Sequence, residues 1–279
     1  MSPLLVRVLS AAFALIVLFL AGYLFQHLGV LWLGYIVVFM GCNEYMRLIQ
    51  KIQPHKKQYR LLFLISAALL ILLDSINPEQ SYQAIAAFVV LYSVAVIYRD
   101  RKQIDLMEKF KYVLFFTFGL VYSVMFPLAA LSLIQKNMDS APFFLFYFLY
   151  LLAVVFIGDT MAYFGGRTFG QRKLMPALSP KKTIEGMISG LLGSILCSML
   201  FTYYLPIEGP MKWFAAIVIG CITGLCAQSG DLFESLIKRL ADEKDSGRLL
   251  PGHGGVLDRL DGVYFAAPVF AYLLALFKY

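Results

Sequence analysis

Five carboxylates, Asp159, Asp231, Asp245, Asp258 and Asp261, and five cations, Lys181, Lys182, Lys238, Lys244 and Arg259, gather in the second half of a 279-residue chain of which only 15% is charged. Carboxylates and water are the ligands that Mg²⁺ selects, with substrate phosphates completing its shell. Neighbouring Lys and Arg side chains neutralise phosphate charge. These residue types therefore point to metal-assisted phosphoryl or nucleotidyl transfer.

Spacing groups them further. In "AQSGDLFESLIKRL", Gln228, Asp231, Ser235 and Lys238 follow one another at steps of three, four and three, which draws a single polar stripe along a helix. Pairing along the helix is the competing, purely structural explanation of such a stripe. In "KDSGRLLPGHGGVLDRLD", residues 244–261, the positions Gly247, Pro251, Gly252, Gly254 and Gly255 preclude a regular helix and let backbone N–H groups approach a phosphate. His253 falls within that turn. Asp258 and Asp261 follow at the mouth of the last helix, three apart and so on one face. Upstream, "IGDTMAYFGGRTFGQRK" puts Asp159 and Tyr163 one turn apart, and "LSPKKTIEG" offers the adjacent cations Lys181 and Lys182 after Ser179-Pro180, read as a helix start or tight turn. The Gly-rich phosphate loops of soluble nucleotide-binding proteins are missing from the sequence.

The elements that must position these groups are membrane spans. The chain is 60% hydrophobic with a mean hydropathy of +0.75, and a bilayer core takes about 20 apolar residues per helix. Such runs recur near 4–25, 29–48, 61–77, 83–98, 111–134, 142–164, 186–205, 212–236 and 261–278. The expected fold is an all-α polytopic membrane protein of about nine helices. Of the 24 Lys and Arg residues, 20 lie in segments 47–60, 99–111, 165–185 and 237–260, each after an even-numbered span. Cationic loops stay in the cytoplasm, which puts the N-terminus and the whole charged cluster on the cytoplasmic side. The loops also account for the net charge of +7, so no nucleic-acid partner is expected.

Two domains follow: a scaffold of spans at 1–141, polar-poor and a candidate homodimer interface, and a catalytic region at 142–279. The first span lacks a small-residue cleavage site and reads as a retained helix. The four cysteines fall inside spans without metal-type spacing and read as packing residues. Glu44 is the exception in the first half, open to two readings: a functional intramembrane carboxylate or a partner of Arg47. A transporter would place ionisable groups near the midplane, often in paired repeats; here they cluster at one face without a repeat.

The run from Ser235 to Asp261, "SLIKRLADEKDSGRLLPGHGGVLDRLD", resembles the signature of the phosphatidate cytidylyltransferases, or CDP-diacylglycerol synthases, with its fixed positions filled. The likeness continues upstream through "GDTMAYFGGRTFG" and "SPKKTIEG", close over about 155–270 and a matter of layout before that. Met161 departs from the pattern, standing where a small residue is expected. The resemblance implies transfer of CMP from CTP to phosphatidic acid, giving CDP-diacylglycerol and pyrophosphate, with Mg²⁺ and a monovalent cation such as K⁺ as cofactors. It makes Asp231 and Asp258, 27 residues apart, the metal-binding carboxylates. It assigns the reaction to these two with Lys238, Lys244, Asp245, His253, Arg259 and Asp261, His253 binding phosphate or fixing the loop rather than acting as a base. Substrate contacts are implied at Asp159, Tyr163, Ser179, Lys181, Lys182, Thr183, Glu185, Ser235, Arg239, Gly254 and Gly255. CTP-dependent lipid kinases share the nucleotide but transfer the γ-phosphate, and the full signature argues against them; cytidylyltransferases acting on ether lipids share the chemistry. A bacterial cytoplasmic membrane is the expected location.

Overall fold

The computed structural model describes residues 3–53, 57–98, 105–135, 145–204, 211–247 and 254–277, and within them the chain is helical apart from one small hairpin. In order these are α1 (Pro3–Ile52), α2 (Lys57–Ile76), α3 (Pro78–Tyr98), α4 (Leu106–Leu120), a π-helical turn (Val121–Met125) leading into α5 (Phe126–Gln135), α6 (Phe146–Phe169), β1 (Lys173–Met175), β2 (Ser179–Thr183), α7 (Ile184–Tyr204), α8 (Lys212–Leu240) and α9 (Leu257–Phe277). The expected all-α polytopic architecture is what forms.

Eight helices among the described residues are long and apolar enough to cross a membrane, against the nine expected. The difference lies in α1, where the first two expected spans form two helical arms joined at Gln26, whose backbone is not helical (φ 51°, ψ −136°). A side chain at Gly29 would strike the carbonyl of Ala21, eight residues earlier, so the two arms meet closely at the bend. Ser179-Pro180 is likewise not a helix start: both residues belong to β2, antiparallel to β1, and α7 begins only at Ile184.

The chain forms two compact units, Met1–Leu128 with Ser246–Leu257, and Ala129–Asp245 with Asp258–Tyr279. Between helices in lipid there is no hydrophobic driving force, so packing and internal polar bonds must hold them. The first unit uses aromatic rings. Tyr59 stacks on Tyr112 at 4.7 Å between centroids and Tyr92 on Phe116 at 3.6 Å. Its fully buried Asp74 accepts hydrogen bonds from the hydroxyls of Tyr35 (3.0 Å) and Ser81 (2.9 Å).

The second unit uses small residues instead. Side chains at Gly158 and Gly224 would both collide with Ser194, and one at Gly220 would come within 2.7 Å of the Ile195 Cα, so α6 and α8 pack closely on either side of α7. Ser194 donates to the carbonyl of Val154 (3.0 Å) and Ser198 to that of Ala216 (2.6 Å), tying α7 to both neighbours. Met161 fits this scheme, its side chain covering the face of Gly193 on α7. Gly230 brings α8 against α9: a side chain there would run into the Asp261 carbonyl and within 3.0 Å of the Phe265 Cβ.

Candidate active site

The close packing of the second unit leaves a cavity of about 670 Å³ among α6, the hairpin, α7, α8 and α9. Five carboxylates line it, Asp159 from α6, Asp231 and Glu234 from α8, and Asp258 and Asp261 from α9. So do five cations: Arg167, Lys181, Lys182, Lys238 and Arg259. The walls are thus balanced in charge.

Two ion-pair centres organise it. Lys182 Nζ lies 2.6 Å from Asp231 Oδ2, joining the hairpin to α8. Lys238 Nζ lies 2.5 Å from Glu234 Oε2 and 2.7 Å from Asp258 Oδ1, joining α8 to α9, with side chains only 14%, 1% and 9% exposed. Asp231 is also within electrostatic reach of Asp159 and Asp261, and the lysines Lys182 and Lys238 offset the three like charges.

The surrounding backbone is pinned by polar side chains. Thr183 caps α7 by accepting from the Gly186 amide (3.1 Å), while Glu185 accepts from the amides of Gln171 (3.0 Å) and Arg172 (3.2 Å), fixing the approach to the hairpin. Gln228 donates to the Met187 carbonyl (3.2 Å) at the cavity wall.

Of the residues anticipated from sequence, Asp159, Tyr163, Lys181, Lys182, Thr183, Asp231, Lys238, Asp258, Arg259 and Asp261 line this one cavity. Ser179, Glu185, Ser235 and Arg239 do not line it, and Lys244 and Asp245 are exposed in the turn after α8. Gly254 and Gly255 belong to the first unit, and His253 lies outside the described residues. Sequence reasoning passed over Glu234 and Arg167. Glu234 stands three residues after Asp231 and four before Lys238, on the same helical face, and that spacing was the signal available.

Among the described residues no three His, Cys, Asp or Glu side chains converge tightly enough to hold a metal ion alone. The donors present are carboxylate oxygens, which suit a hard cation that keeps waters and takes substrate phosphates as further ligands. Asp231 and Asp258 each face a lysine ammonium, at 2.6 and 2.7 Å.

A model of the cytidylyltransferase family matches residues 5–277. Among named relatives, a phosphatidate cytidylyltransferase of Bacillus subtilis is 40% identical over 143 residues, 51% of this chain and 52% of that protein. Proteins of the same name from Staphylococcus haemolyticus and Haemophilus influenzae are each 42% identical over 130 residues, 47% and 46% of this chain and 49% and 45% of theirs. The chain thus spans about half the length of the curated relatives it matches.

Proposed function

Since this chain belongs to the cytidylyltransferase family, we propose that it is a phosphatidate cytidylyltransferase, transferring CMP from CTP to phosphatidic acid. The observation that carries the reading is the convergence of five carboxylates and five cations on one cavity of a membrane-embedded helical unit. In the proposed reaction a phosphate oxygen of phosphatidic acid attacks the α-phosphorus of CTP. A new O–P bond forms as the bond to the β-phosphate oxygen breaks, and pyrophosphate leaves.

A phosphomonoester dianion is already a competent nucleophile, so the acceleration asked of the protein is positioning and charge stabilisation. Lys181, Lys182 and Arg167 on the hairpin side, and Lys238 and Arg259 on the α8–α9 side, are the cations that would hold the phosphates of the two substrates. Mg²⁺, held by Asp231 and Asp258, would supply positive charge to the oxygens that gain negative charge in transfer; K⁺ is the candidate second cation. Glu234 would keep Lys238 in place. Lys244 and Asp245 have no contact in the cavity that gives them a part. Charge asymmetry of the loops supports a cytoplasmic-facing site in a bacterial inner membrane, and the polar-poor first unit is a candidate homodimer surface.

The test is purified protein in detergent with phosphatidic acid, Mg²⁺ and CTP labelled separately in its α- and γ-phosphates. Cytidylyl transfer puts α-label into lipid and γ-label into pyrophosphate. γ-Label in the lipid would replace this reading with a CTP-dependent lipid kinase.

A further inference from the structure

Glu44, on the second arm of α1, is 7% exposed, and its carboxylate is enclosed by two stretches of chain some 200 residues further on, all within the first unit. Its Oε2 accepts from the Ser246 hydroxyl (3.0 Å) and from the Leu257 amide (3.0 Å). A side chain on Gly247 would strike Oε1, and one on Gly255 would strike Oε2, so these glycines leave room for the carboxylate itself. The same hypothetical Gly247 side chain would come within 2.8 Å of the Gly255 Cα, so the two stretches also touch one another. Arg47, one turn along α1, donates to the Ser246 carbonyl instead of pairing with Glu44.

Leu257 is the first residue of α9, and its N–H is one of the helix-initial donors that have no partner within the helix. A carboxylate at that end is doubly suited, as acceptor and as a negative charge at the positive end of the helix dipole. The residue joined to Leu257 by the next peptide bond is Asp258. We infer that Glu44 is a positioning residue for cytidylyl transfer: it holds Ser246 and Leu257 together and so fixes the backbone from which Asp258 follows by one peptide bond. The inference rests on the proposed function. The bonds from Ser246 and Leu257 fall on one oxygen, so what the position needs is an acceptor of glutamate's length, and a glutamine can meet that need.

The experiment compares full-length wild type with Glu44→Met, Glu44→Gln and Ser246→Ala, all purified in detergent. Two quantities are read: deuterium uptake of the peptide containing Leu257, and kcat and KM for CTP with phosphatidic acid and Mg²⁺. In Glu44→Met one amide of that peptide is expected to exchange at least tenfold faster, with kcat down at least tenfold and KM for CTP changed less than threefold. Glu44→Gln restores both exchange and kcat to within about threefold of wild type, and Ser246→Ala, which loses one donor, falls between. Faster exchange in Glu44→Met with kcat within threefold of wild type would overturn the positioning role, leaving a structural clamp. Unchanged exchange, or a glutamine as impaired as the methionine, would overturn the acceptor role. Should Glu44→Met fail to accumulate, Ser246→Ala decides by the same two readouts. A wild type that transfers no CMP defeats the functional reading, while the exchange data still decide whether Glu44 holds Leu257.

Discussion

Both units bury carboxylates among apolar helices, and they treat them in opposite ways. In the first, Asp74 accepts from two hydroxyls and Glu44 from a hydroxyl and a backbone amide, bonds that hold chain to chain. In the second, Asp231, Glu234 and Asp258 face lysine ammoniums, and Asp231, Asp159 and Asp261 face one another. A carboxylate satisfied by neutral donors needs nothing more. One set among like charges and lysines is arranged for further charge to arrive, which is what a site for a triphosphate and a cation requires. The contrast would separate structural carboxylates from the proposed catalytic ones without reference to position in the chain.

The largest effect that tests this contrast is on turnover. Asp231→Asn or Asp258→Asn keeps shape and removes a charge, and each is expected to lower CMP transfer at least about 100-fold, the scale of losing one electrostatic contact to a transition state. Insertion and elution as a folded species should stay as in wild type. Retention of more than about a tenth of wild-type turnover, about 1.4 kcal/mol of barrier, would remove that residue from the metal role.

Next in size is Lys238→Met. It strips the ammonium from Glu234 and Asp258, whose side chains are 1% and 9% exposed, and leaves two carboxylates close together in a dry environment. Breaking a buried pair from one side costs about 3–5 kcal/mol. Thermal unfolding in detergent should therefore fall together with activity, in contrast to Asp231→Asn, whose pair with Lys182 is more exposed and which should lose activity alone. The double variant Lys238→Met with Glu234→Gln should recover part of the stability and none of the turnover.

The two units also differ in how much of them the sequence discloses. The cavity set was legible because its members are close in the chain: Asp231 and Lys238 share a stripe on α8, Asp258 and Asp261 a turn of α9, and Lys181 and Lys182 are adjacent. Helical periodicity alone puts each pair on one face. Glu234 obeys the same periodicity yet reads as an ordinary i, i+4 partner of Lys238, and only its burial distinguishes it. The partners of Glu44 are 202 and 213 residues away, beyond any local pattern. Gly247 and Gly255 read as phosphate-loop glycines, and the structure also sets that carboxylate against both. The two apolar runs of α1 read as two spans, and the non-helical backbone at Gln26 parts them although neither Gly nor Pro stands at the turning residue.

The smallest effect tests the structural half of the contrast. Asp74→Ala removes the acceptor shared by Tyr35 and Ser81 and leaves two hydroxyls without it in a fully buried place. A buried polar group that loses its partner costs about 1–3 kcal/mol. Ser81 also donates to the Pro78 carbonyl at 2.7 Å, which keeps the expected loss at the lower end of that range. Asp74→Asn retains a carbonyl oxygen and should lose less than the alanine. Neither variant should change kcat per folded molecule, because Asp74 belongs to the first unit and is not among the residues that line the cavity. The decisive comparison is stability against turnover across the pair. A fall in kcat with unfolding unchanged would mean that Asp74 acts on turnover as proposed for Glu44, and the asymmetry between these two first-unit carboxylates would be lost.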